Sequence, residues 1–130
     1  MAANTSPIFC KNGYVAPVAI ATANANRDGT GTIGVVVTAT AEGTRIMWVR
    51  IKATAVTTAG TIRFYINTGA AYFLIDEITV SAITPSATLP SFTYLWFPPA
   101  EGLVIPTGYK FEASTEKAEN FNVVAYCGDY

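Results

Sequence analysis

Asp76 and Glu77, side by side in FLIDEITV, are the first residues that suggest chemistry. Paired carboxylates hydrolyse glycosidic bonds when they face each other across a cleft, but neighbours on a regular strand point to opposite faces. The chain contains no histidine. That removes the commonest general base, the usual partner of a hydroxyl or thiol nucleophile, and the commonest zinc ligand. Cys10 and Cys127 lie near opposite ends of the chain and form no C-x-x-C element. Nothing around them signals an oxidising compartment, so unlinked thiols are expected, although a bridge closing so long a loop would stabilise by roughly 4–5 kcal/mol in the chain-entropy model. Gly29, Gly31 and Gly34 in NRDGTGTIG have the density of a phosphate loop, yet they precede a strand and no Lys-Ser/Thr follows in the required spacing. They are expected as turn glycines. Asp28 has no second or third acid nearby to share a calcium ion. An enzyme is not expected, and neither is a metal or cofactor.

The remaining chemistry is recognition. In RIMWVRIKATAVTTAGTIRFYIN, alternation puts Met47, Val49, Ile51 and Ala53 on one face and Trp48, Arg50 and Lys52 on the other. Ile62, Phe64 and Ile66 then alternate with Arg63, Tyr65 and Asn67, and TTAG, Thr57 to Gly60, reads as the turn of a hairpin joining the two. An exposed face of Trp48, Arg50, Lys52, Arg63 and Tyr65 fits a protein interface, a solvated face with Arg–aromatic stacking, a sugar platform, or single-stranded nucleic acid. A second candidate is FTYLWFPP, apolar on both sides, with Phe92, Tyr94 and Trp96 on one and Leu95 and Phe97 on the other. It reads as a central strand covered by a loop or as a subunit interface. EKAEN, Glu116 to Asn120, reads as a solvated hairpin tip that could also touch a partner.

The elements that must carry these residues are strands. Period-2 alternation recurs along the chain and the helical period is missing. Strands are predicted at Ile8–Lys11, Pro17–Thr22, Thr32–Thr40, Arg45–Ala55, Thr61–Asn67, Tyr72–Val80, Phe92–Phe97, Tyr109–Ser114 and Phe121–Cys127. This is an all-β, single-domain antiparallel β-sandwich, jelly-roll-like, of eight or nine strands. In YKFEAST, parity turns Tyr109, Phe111 and Ala113 inward and Lys110, Glu112 and Ser114 outward. In FLIDEITV neither face is clean, and a bulge at Asp76–Glu77 would resolve the conflict. SAITPSATLPSF, with Pro85 and Pro90, reads as a crossover between sheets. Residues 1–27 read as an N-terminal extended arm or first strands, with Ala19–Asn26 plain enough for an arm, and residues 28–130 as the sandwich domain.

Composition narrows the partners. Charged residues are 13% and hydrophobic ones 51%, with a net charge of −1. Such a surface is largely neutral and suits packing against other protein. It lacks the basic footprint expected for nucleic acid or an anionic membrane, so neither is expected as a partner. No apolar run is long enough to span a bilayer, and MAANTSPIFCKNG lacks the pattern of a signal peptide.

GTRIMWVRIKATAVTTAGTIRFYIN, TPSATLPS and LVIPTGYKFEASTEKAENFNVVAYCGDY together resemble small virion proteins of tailed bacteriophages, encoded among the head genes. The likeness spans roughly Asp28 to Tyr130, strongest where PTGYKFEAST runs into AENFNVVAYCGDY. It implies a capsid decoration or cement protein, made in the host cytoplasm and placed on the capsid surface. The implied partners are the major capsid protein and copies of itself, with a homotrimer favoured. The other class of function to weigh is a carbohydrate- or receptor-binding module of a phage tail or fibre.

Overall fold

The computed structural model describes residues 10–98 and 102–130, and within them the chain forms nine strands and no helix. In chain order the strands are β1 (Asn12–Ile20), β2 (Gly34–Thr38), β3 (Thr44–Ala53), β4 (Gly60–Asn67), β5 (Tyr72–Val80), β6 (Thr93–Trp96), β7 (Leu103–Ile105), β8 (Lys110–Thr115) and β9 (Phe121–Asp129). The first sheet has the order β1-β9-β3-β6, with β7 also paired to β3, and the second has the order β2-β8-β4-β5. All named pairings are antiparallel. The β1–β2 pair lies along β9–β8, β3–β4 along their other side, and β5–β6 along β4–β3. A long two-stranded ribbon is thus wrapped around itself, which is the strand order of a jelly roll. The strand expected at Ile8–Lys11 lies largely outside the described residues, and the short β7 was not foreseen.

Alternation fills the space between the sheets. Ile46, Val49 and Ile51 of β3 and Phe121, Val123 and Ala125 of β9 are fully buried against Ile62 and Phe64 of β4 and Phe111 of β8. Trp96 closes an aromatic cluster, its ring 4.9 Å from Phe64 and 5.6 Å from Phe111. Rings at these separations add to simple burial.

Three bulges set which residues face out. The β3–β9 register slips between Ile46 and Trp48, so Met47 is the extra residue; it is exposed rather than part of the core, and Ile46 takes the inward place. The β4–β5 register slips between Phe64 and Tyr65, which face Asp76 and Leu74. Ile75 is the extra residue there, one position before the expected Asp76–Glu77 bulge. It turns Asp76 toward Trp96, whose Nε1 donates to Asp76 Oδ2 at 2.6 Å, and leaves Glu77 outside with Arg63. The third bulge lies in β2, at Val36.

The structure corrects the expected hairpin. β3 and β4 belong to different sheets, and TTAG is part of a crossover pinned by a bridge between Thr57 and Ile83. Gly29 and Gly31 have positive φ as turn residues should. Gly34 instead opens β2, where a Cβ would lie 2.9 Å from Ile20 Cγ2; the requirement there is space.

Candidate functional site

The outer face of the first sheet carries the candidate site. Cross-strand register places Val15, Tyr126 and Trp48 in one row, with Pro17, Val124, Arg50 and Leu95 in the next. Ala19, Asn122, Lys52 and Thr93 form a third row. The Trp48 ring is stacked on Tyr126, centroids 3.8 Å apart and planes at 4°. On its β6 side lies Phe97, at 6.4 Å and 22°. Since β3 sits between β9 and β6, the three rings stand side by side and present their edges to solvent. Around them Phe97 is 66% exposed, Val15 54% and Leu95 39%. A contiguous apolar patch of this kind, rimmed by polar residues, marks a surface that meets another molecule.

The two cations differ in freedom. Lys52 Nζ donates to Ser91 O at 3.1 Å and Thr93 Oγ1 at 2.8 Å, which fixes it to the patch margin. Arg50 lies with Cζ 5.6 Å from the Trp48 ring centre, and among the described residues it makes no ion pair. A guanidinium held over a ring keeps its donors free for a carboxylate or carbonyl on a partner.

Four other candidates turn out to be covered. Arg63 and Tyr65 lie on the outer face of the second sheet, on the opposite side of the sandwich from Trp48. They are 2% and 0% exposed because residues 21–33 run over them as a strap. Arg63 Nε donates to Glu77 Oε1 at 2.9 Å and Nη1 to Asn24 O at 3.2 Å, while Tyr65 Oη donates to Asn26 O at 2.8 Å. Arg27 adds a second ion pair to Glu77, and Asn24 N donates to Thr115 O. The plain segment Ala19–Asn26 therefore ends β1 and begins a pinned strap. The same strand face carries Glu112 and Ser114, which are buried and not outward in solvent as expected. Phe92 and Trp96 are core residues, 6% and 7% exposed. β6 is the edge of its sheet, not a central strand, so Tyr94, which shares their side, remains exposed at the rim.

Sequence reasoning missed Tyr126, Val124 and Val15 as members of the site, while Leu95 was named only as part of the two-sided apolar strand FTYLWFPP. In FNVVAYC the inward set is Phe121, Val123, Ala125 and Cys127, and the outward set, Asn122, Val124 and Tyr126, is also largely apolar. That double apolarity was the available signal. The tip at Glu116–Asn120 is tied back, with Glu119 Oε2 accepting from Thr58 N at 2.7 Å and Thr58 Oγ1 at 2.9 Å.

Elsewhere a cavity of about 80 Å³ lies between the end of β1, the strap and β8, well below the size of sites that enclose small organic ligands. Cys10 and Cys127 are both free thiols. Among the described residues no three His, Cys, Asp or Glu side chains form a metal-holding group. Compared with known proteins, the chain matches no family model and no curated relative.

Proposed function

We propose that this chain is a non-enzymatic structural protein of a phage particle, a capsid decoration or cement protein that grips assembled head subunits through the outer face of its first sheet. The observation that carries this reading is the uncovered row Tyr126–Trp48–Phe97 with Val15, Val124 and Leu95 around it. Aromatic anchors at the centre of an apolar patch supply most of the energy of protein interfaces. The likeness of Asp28–Tyr130 to head-gene virion proteins supports it, as does a composition with 13% charged residues. The expected partners are the major capsid protein and other copies of the chain, on the capsid surface.

The ring geometry favours this over a sugar platform. A pyranose stacks on an open aromatic face, and both faces of Trp48 look at neighbouring rings. Edges of stacked rings suit a pocket on another protein.

Co-sedimentation of wild type and Trp48→Ala with undecorated capsids tests the proposal. Loss of the anchor should weaken capsid binding by about 2 kcal/mol or more. Equal occupancy by the two proteins would sink it, and glycan affinity lost by Trp48→Ala with capsid occupancy unchanged would replace it with the tail-module reading.

A further inference from the structure

The four edges of the two sheets are not equivalent. An edge strand exposes unpaired N–H and C=O groups, and proteins blunt such edges with proline, bulges or charge. β1 has Pro17 in its middle, which removes a donor. β2 is bulged at Val36. β5 is bulged at Ile75 and carries Asp76 and Glu77. β6 is short, four residues, and Pro98 follows Phe97, but from Thr93 to Phe97 the strand itself holds no charge, no proline and no slip in register.

The backbone of β6 is poised to pair. Ala53 N donates to Phe92 O at 2.9 Å, so the alternation of an antiparallel ladder turns the peptide groups of Phe92, Tyr94 and Trp96 toward β3. Those of Thr93, Leu95 and Phe97 point away from the sheet, and among the described residues nothing pairs with them. Leu95, Phe97 and Tyr94, all exposed, flank this edge on its two sides.

We propose that two copies of this chain pair antiparallel along β6 about a two-fold axis, so that the first sheet of one protomer continues into its partner. A two-fold contact must be self-complementary. Leu95, on the axis, carries no charge, so the two copies meet there without like-charge repulsion; Lys52, held on Thr93, lies off the axis. Pairing centred on Leu95 lets Thr93, Leu95 and Phe97 exchange N–H and C=O with Phe97, Leu95 and Thr93 of the second copy. The exposed Leu95 and Phe97 side chains are then covered from the flank. The pairing concerns the protein alone and stands or falls independently of any capsid.

Sedimentation equilibrium from low to several hundred micromolar reads the assembly. Wild type is expected to form a dimer. Leu95→Lys, at an exposed position, sets two ammonium groups opposite each other on the axis and should raise the dimer dissociation constant at least about tenfold. Leu95→Pro deletes an N–H that points away from β3 and should do the same while keeping a cooperative melt. Val15→Lys, on the same sheet face but at the far edge, should dimerise as wild type does. A wild type that stays monomeric, or forms a trimer, overturns the proposal. So does a dimer that survives Leu95→Lys, or one that Val15→Lys disrupts equally, which would mean the sheets pack face to face.

Discussion

Arg63 is a charged side chain taken out of water, and its neighbours show why that is tolerable. Glu77 meets its Nε and the Asn24 carbonyl its Nη1, with the side chain 2% exposed. Glu77 itself is 36% exposed and is still reached by Arg27, so removing Arg63 strands no buried charge; what is lost is its charge-assisted hydrogen bonds and the packing of its stem. Arg63→Ala should therefore lose about 2 kcal/mol in urea unfolding. Trp48→Ala should lose only about 1 kcal/mol in the same experiment, the worth of its ring contacts, because it faces away from the core. A comparable loss for both would mean that the patch is part of the fold's stability and not a surface held ready for a partner. In the sequence the two residues looked alike, each an outward position on an alternating strand. Parity reports the side of a sheet and says nothing of what lies over it. The cover on Arg63 comes from Asn24, 39 positions away, and no local pattern signals it.

At the scale of elements, the strap of residues 21–33 is held by few groups, and one of them titrates. The Glu77 carboxyl is pushed below its ordinary value of 4.5, first by Arg27 and then by Arg63. A carboxyl whose folded pKa is depressed stabilises fully above its unfolded value, and the contribution is lost as the pH falls through the folded one. The difference in melting temperature between wild type and Glu77→Gln should therefore be constant near neutrality and close as the pH drops below 4.5. A difference that does not change with pH would mean the carboxylate charge does not hold the strap. Strand positions were legible because alternation is strong: Tyr72–Val80 was read with its observed bounds, and most others lay within a few residues. The bulges were harder. FLIDEITV announced its own by carrying an acid on each face, whereas Met47 is as apolar as the core residues beside it and gave no such sign.

For the molecule as a whole, class and strand number could be read from the chain, but the sorting of strands into sheets could not. Arg45–Asn67 has the periodicity of a hairpin, and consecutive strands usually pair. Here each half is claimed instead by a late strand, β3 by β9 and β4 by β8. Those claims are long-range, and the hydrophobic pattern of β3 is equally satisfied by either neighbour. The longest-range pairing, β1 with β9, sets Asn12 opposite Asp129, and Lys11 N donates to Asp129 O. Both ends of the described fold thus leave side by side, at the Thr44 end of the sandwich and away from the Ala53 end. The ribbon is therefore close to a closed loop, and the packing does not require the chain to be open at this point rather than another. A circular permutant that joins Tyr130 to Cys10 through a short linker and opens between Ser86 and Leu89, an exposed turn bonded only to itself, should fold to the same sandwich and melt within several degrees of the parent. Circular dichroism and a thermal melt check it, and a permutant that fails to fold would show that chain order matters here. In such a permutant, a protein domain fused to the new terminus would project from the opposite pole of the molecule.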